Sequence, residues 1–201
     1  MVPMPTDDAL WKQARVGDAE AFGELFERHG RAIYNYCFRQ TADWTVAEDL
    51  VSTVFLEAWR RRDQELQPGK VLAWLYGIAT NVCRNCQRSR HRHEAALARL
   101  SLPEPTADFA EDLLERVDDQ TRMGELLRLT AKLTRRQRDV LILCAWSGLS
   151  YEDAGLALGL PPGTVKSNLS RARERMRELA ASYGHIQSEH VIMGKECETN
   201  E

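Results

Sequence analysis

The stretch Ser150–Met176, SYEDAGLALGLPPGTVKSNLSRARERM, decides the fold. Ser150 is a good helix N-cap, and Asp153 three residues later favours a helix start. Ala154 is small, which suits two helices crossing closely. Gly159 stands where a left-handed turn residue belongs. Leu160 is expected to drop into a core, and Pro161 and Pro162 stop one helix and begin the next. Val165, Leu169, Ala172 and Met176 then recur at helical spacing and predict a buried face. Thr164, Lys166, Ser167, Asn168, Ser170, Arg171 and Arg173 are left to point outward. A basic helix is often only a solvated surface. Here the cap, the turn glycine, the prolines and the buried spacing agree on a helix-turn-helix. Its outward set has the short hydrogen-bonding groups and cations that a major-groove reader needs.

Working outward, the pattern is helical almost throughout. Asp18–Arg39 carries Phe22, Leu25, Phe26, Ile33 and Tyr34 at helical spacing, with Gly30 as an expected interruption. Thr45–Arg62 reads as a helix capped by Thr45 with Glu48 as its box partner. Asp63–Lys70, with its Pro68-Gly69 pair, is a loop. Val71 to about His93 follows, apolar at first (Leu72, Trp74, Leu75, Ile78) and basic later. Trp74 reads as a core residue by spacing, with direct contact to a base as the alternative. A helix is also expected around Phe109–Val117, then Gly124–Leu133, Arg135–Trp146, Ser150–Leu158 and Pro162 to about Ala180. The predicted class is all-α: two small helical domains, 10–95 and 124–180, joined by an acidic linker at 96–123, with a flexible tail at 181–201.

The 201-residue chain has a formal net charge of -3 and a hydrophobic content of 43%, as a globular protein should. Its charge is segregated. Residues 51–95 carry net +4 and 126–180 net +5, while 96–125 between them carry net -5. Local field matters more than the total at contact range, so the acidic balance does not exclude nucleic acid as partner. No apolar run approaches the roughly 20 residues of a membrane span, and the N-terminus lacks a secretory pattern. A cytoplasmic protein without membrane insertion is expected. Five cysteines, an odd number without a signal peptide, argue against a disulfide scaffold. Cys83 and Cys86 share a helix face with His91 and His93 nearby. They read as a helical interface or, alternatively, as a zinc or redox site. No hydrolase, P-loop or metalloprotease motif is present, so neither enzyme activity nor a cofactor is expected.

SYEDAGLALGLPPGTVKSNLSRARERMREL resembles the minus-35-binding domain of sigma-70 family transcription initiation factors of the short extracytoplasmic-function (ECF) group. LTRRQRDVLILCAWSGLS is similar to that domain's opening helices. AFGELFERHGRAIYNYCFRQTADWTVAEDLVSTVFLEAW and VLAWLYGIATNVCRNCQRSRHR resemble the family's sigma-2 domain, the second its promoter-melting helix. The resemblance implies core RNA polymerase, promoter DNA and an anti-sigma factor as partners. It implies minus-35 contacts from Thr164, Lys166, Ser167, Ser170, Arg171 and Arg173. It implies minus-10 contacts from Asn81, Arg84, Asn85, Arg88, Arg90 and Arg92, with Asp63–Lys70 as the loop that captures a flipped base. Asp49, Leu50, Val51 and Phe55 match the polymerase-docking segment. Ser52 and Thr53 stand where the family usually has a glutamine and an acid.

Overall fold

The computed structural model describes the backbone of residues 4–100 and 114–183, and the side chains of 4–93 and 120–181. These residues form eight α-helices, α1 (Asp7–Arg15), α2 (Ala19–Thr41), α3 (Trp44–Arg60), α4 (Val71–Leu100), α5 (Leu114–Thr130), α6 (Arg135–Leu141), α7 (Tyr151–Leu158) and α8 (Pro162–Tyr183). A π-helical turn, Ile142–Trp146, follows α6. Among the described residues there is no strand, as the all-α reading requires. Residues 101–113 of the linker and the tail from 184 onward lie outside the described residues, as does the part of the Phe109–Val117 helix before Leu114.

Helices α1 to α4 pack as one bundle. Leu25, Ile33 and Tyr36 of α2, Val54 of α3, and Val71 and Leu75 of α4 are fully buried in its centre. Burying side chains of this size contributes roughly 1.5–3 kcal/mol each. A polar chain crosses the bundle. Gln40 Nε2 donates to the Tyr36 hydroxyl (3.0 Å), which lies 2.8 Å from Thr80 Oγ1, which in turn donates to the Tyr76 carbonyl (2.8 Å). Burial pushes the Tyr36 phenol well above its ordinary pKa, so it stays a donor. A buried network with every member satisfied fixes the register of α2 against α4.

Three local expectations need correction. The cap of α3 is Asp43, whose carboxylate accepts from Val46 N (3.0 Å), not Thr45, which lies in the first turn. Asp43 wins because Ala42, in the left-handed region at φ 52°, ends α2 just before it. Gly30 does not interrupt α2, which runs unbroken for 23 residues, with Phe26 lying against Gly30. The helix starting at Val71 extends past His93 to Leu100.

Helices α5 to α8 build the second core. Val165, Leu169, Ala172 and Met176 are all buried, as their spacing predicts. Gly159 adopts φ +66° at the α7 C-cap, and Leu160 N closes the turn onto the Gly155 carbonyl at 2.9 Å. Leu160 itself is only partly buried. A Cβ on Gly155 would lie 2.6 Å from the Leu160 carbonyl oxygen, so this close turn admits only glycine. Ser150 caps α7 by accepting from Asp153 N at 3.0 Å. In the π-helical turn, Ser147 N reaches back to the Ile142 carbonyl at 2.9 Å, which widens the helix by one residue.

Candidate nucleic-acid interface

Two helical faces collect the polar and basic residues. On α8, Lys166, Ser170 and Arg171 are exposed, and among the described residues none of the three is drawn into a hydrogen bond or ion pair. Pro162 opens the helix, and the Pro161 carbonyl accepts from Thr164 N and Val165 N at 2.9 and 3.1 Å. Thr164 and Ser167 are half-buried, and Ser167 Oγ donates to the Thr164 carbonyl at 3.1 Å. Asn168 Nδ2 donates to that same carbonyl at 2.7 Å. Arg173 departs from the outward reading. It is half-buried, and its Nε is out of solvent without a hydrogen-bond partner.

On α4, Asn81, Asn85, Arg88 and Arg92 are exposed and spaced so as to make one continuous stripe. Arg88 Nη2 donates to Asn85 Oδ1 at 2.6 Å, which ties two members together. A groove of about 470 Å³ runs beside the stripe between α3 and α4, lined by Leu50, Thr53, Ile78, Asn81, Asn85 and Ser89 among others. Arg90 is exposed but lies about half a turn round the helix from Asn81. Arg84 also leaves the stripe. Its Nη2 meets the Asp139 carboxylate of α6 at 2.6 Å.

The loop 63–70 is held by contacts that the sequence pattern did not signal. Trp11 Nε1 donates to the Gln64 carbonyl (3.2 Å) and Trp74 Nε1 to the Gln64 side-chain oxygen (3.1 Å). The two indoles pack at 4.8 Å between centroids. The Asp8 carboxylate accepts from Gly69 N at 2.9 Å, where Gly69 turns at φ +71°. Trp74 is thus partly buried and committed to the loop. Helix α1, absent from the sequence reading, supplies both Asp8 and Trp11.

In the docking segment the four sequence-derived residues separate. Asp49 is exposed, together with Glu48, Ser52, Thr53 and Leu56. Leu50, Val51 and Phe55 are 7%, 8% and 5% exposed and belong to the core, because they occupy the inward stripe of α3. Phe55 packs against Phe22 and Phe26 of α2 at 6.1 and 4.8 Å. Those three side chains pack inward and set the position of the exposed face.

Cys83 is buried with its Sγ 3.8 Å from Cys37 Sγ. That contact and burial push its thiol well above the ordinary pKa range, which disfavours the thiolate that a metal or oxidant would need. Among the described residues no group of three metal-ligating side chains comes together. No described helix is long and apolar enough to cross a membrane.

Residues 25–93 match the family model for Sigma-70 region 2, and residues 123–176 match that for Sigma-70, region 4. The chain is 32% identical over 185 residues to the ECF RNA polymerase sigma factor SigE of Mycolicibacterium smegmatis, covering 89% of this chain and 69% of that protein. Its fold is similar to that of CnrH in complex with the cytosolic domain of CnrY, with a TM-score of 0.68, 26% identity and coverage of 88% and 97%. It is also similar to the sigma factor RpoE in complex with the anti-sigma factor NepR from Bartonella quintana, with a TM-score of 0.60, 29% identity and coverage of 81% and 98%.

Proposed function

The chain belongs to the sigma-70 family, in its extracytoplasmic-function group, and from that premise we propose which residues do which part of the work. As a sigma factor it binds core RNA polymerase and directs it to promoters, recognising minus-35 and minus-10 elements and promoting melting. The unit 124–180 reads the minus-35 duplex through Lys166, Ser170 and Arg171, with Thr164 and Ser167 at the helix start. The unit 10–95 reads the minus-10 region through the Asn81–Arg92 stripe and the 63–70 loop. Residues 96–123 join them.

One observation carries this assignment: each unit exposes one polar, basic stripe on a helix that is otherwise anchored in a core. In the major groove, Arg171 and Lys166 supply hydrogen bonds and phosphate contacts. At minus-10 the strand is opened, so Asn81 and Asn85 offer amide donors and acceptors to unpaired bases, and Arg88 and Arg92 follow the backbone. The groove between α3 and α4 has room for a base beside Asn81. Melting draws on the binding of single-stranded bases and on polymerase contacts, with no catalysed step and no cofactor. Glu48, Asp49, Ser52, Thr53 and Leu56 form the proposed polymerase-docking face. We place the protein in the cytoplasm with its polymerase, and assign it an anti-sigma factor, as RpoE has in NepR.

The test is run-off transcription with purified core enzyme on a genomic promoter pool. Initiation at a defined set of start sites is expected. A protein that neither joins core nor directs initiation on any promoter defeats the assignment.

A further inference from the structure

Two indoles fix the polarity of one loop side chain. Trp11 Nε1 donates to the Gln64 backbone carbonyl at 3.2 Å, and Trp74 Nε1 donates to the Gln64 side-chain Oε1 at 3.1 Å. An indole nitrogen only donates, so the amide atom facing Trp74 must be the oxygen, and the amide cannot turn over without losing that bond. The group turned away from Trp74 is therefore the NH2. Gln64 is exposed, and among the described residues its Nε2 is drawn into no hydrogen bond. The grip is itself braced. The indoles pack on each other at 4.8 Å, and Trp11 is buried. Farther along the loop, both carboxylate oxygens of Asp8 accept from Gly69 N, at 2.9 and 3.1 Å. Asp7 anchors α1 on α2 through Arg28 at 3.0 Å and His29 at 2.7 Å. Helix α1 precedes the segment 25–93 that carries the family match.

We propose that Gln64 selects one base of the opened minus-10 strand by donating a hydrogen bond to it, and that Trp74 and Trp11 are the positioning residues that hold it as a donor. The proposal rests on the minus-10 reading of α4 and the 63–70 loop, and it names the class of base that the loop takes. Trp74, Ile78, Asn81 and Asn85 fall at i, i+4, i+7 and i+11 and so share one face of α4. The last three line the groove between α3 and α4. The Gln64 amide, held on Trp74, thus stands at the N-terminal end of the face that borders the groove. Seven residues of helix put Trp74 about 10 Å from Asn81 along the axis, so Gln64 and Asn81 meet different nucleotides. On a base edge, thymine O4 and guanine O6 accept where adenine N6 and cytosine N4 donate. A fixed donor pairs with the keto oxygen and leaves an amino group facing another N–H. A glutamine amide free to turn over would serve both. Gln64 locked by Trp74 therefore favours thymine and guanine over adenine and cytosine. Asp63, the exposed carboxylate beside it, accepts only and would favour the amino bases instead.

The experiment is transcription by the full chain with core polymerase on a promoter pool randomised through the minus-10 region, read as transcript counts for each base at each position. The position that Gln64 meets is the one whose preference disappears in Gln64→Ala. There the wild-type chain should use thymine and guanine about fivefold more than adenine and cytosine, the worth of one hydrogen bond. Trp74→Phe keeps an aromatic ring and removes the N–H. It should bring that ratio close to one, with the preference at the Asn81 position retained. Gln64→Glu leaves both indoles in place and offers oxygens alone, so it should invert the ratio. Asp63→Asn should leave the ratio as in the wild type. In the free chain, proton exchange at the Trp74 indole, followed by NMR, should quicken about fivefold in Gln64→Ala. Exchange at Trp11, which is bonded to the backbone carbonyl, should not change. Should Trp74→Phe loosen the loop, Gln64→Glu decides. No position responding to Gln64→Ala, a ratio that Gln64→Glu fails to invert, or a ratio that moves with Asp63→Asn overturns the proposal and leaves the sigma-factor assignment standing, because the wild-type chain still initiates. Absence of initiation by the wild-type chain overturns both.

Discussion

Helices α4 and α8 are built for similar contacts yet differ in their accounts with the rest of the molecule. The α8 stripe is short and independent: Lys166, Ser170 and Arg171 project from a helix anchored within its own unit. The α4 helix is shared. Its Asn81–Arg92 stripe faces solvent, while Arg84 on another side, and Lys70 just before the helix begins, pair with Asp139 and Asp153 of the other unit. Basic residues of equal charge therefore have unequal availability, and counting arginines along a helix overstates the number free to meet DNA.

The largest effect that tests this difference is at Gly155. An alanine Cβ there would lie 2.6 Å from the Leu160 backbone oxygen, so the turn must move. Gly155→Ala should cost about 1–3 kcal/mol of stability and abolish minus-35 duplex binding, while leaving core-polymerase association intact. Loss of both together would mean that the units are not separable. Next is Arg171→Ala, expected to cost about 1–3 kcal/mol in minus-35 duplex binding with relaxed sequence preference. Lys166→Ala should weaken all sequences alike and lower the salt slope by about one. If both variants retain wild-type binding, the outward face of α8 has been misassigned. Asn81→Ala should alter minus-10 preference by about 1–3 kcal/mol between bases without changing minus-35 binding, measured by transcription from paired promoter variants. The smallest expected effect sharpens the contrast within α4. On duplex binding by the free chain, Arg88→Ala should cost a few-fold at 0.1 M salt, and Arg84→Ala less, because Arg84 is already engaged. Equal losses would place both on one DNA face.

The helix-turn-helix was readable because its signals are local. Ser150, Gly159, Pro162 and the Val165–Met176 spacing act within a few residues of one another, and each took its expected role. The candidate DNA residues were readable as types but not as directions. Arg84 and Arg173 show this, since a partner on another helix or a neighbouring core redirected them. Leu50, Val51 and Phe55 were assigned by resemblance to a segment that docks, yet their own helical phase turns them inward. Asp139, Asp153, Trp11 and Asp8 gave no periodic signal at all. Their partners lie 55, 83, 53 and 61 positions away in the chain. Such pairs exist only once the topology has brought the elements together.

The π-helical turn at Ile142–Trp146 sets a phase. One residue advances an α-helix by about 100°, and the extra residue accommodated there turns everything after it relative to α6. The side of the chain that carries Asp153 and Ala157 toward α4, and the side that carries Lys166 and Arg171 away from it, are both reckoned from that residue. Removing a single amino acid between Ile142 and Ser147 would keep the composition and nearly all of the local signals. It would aim the reading head elsewhere, so the mutual orientation of the two units is written in the length of the chain as much as in any contact between them.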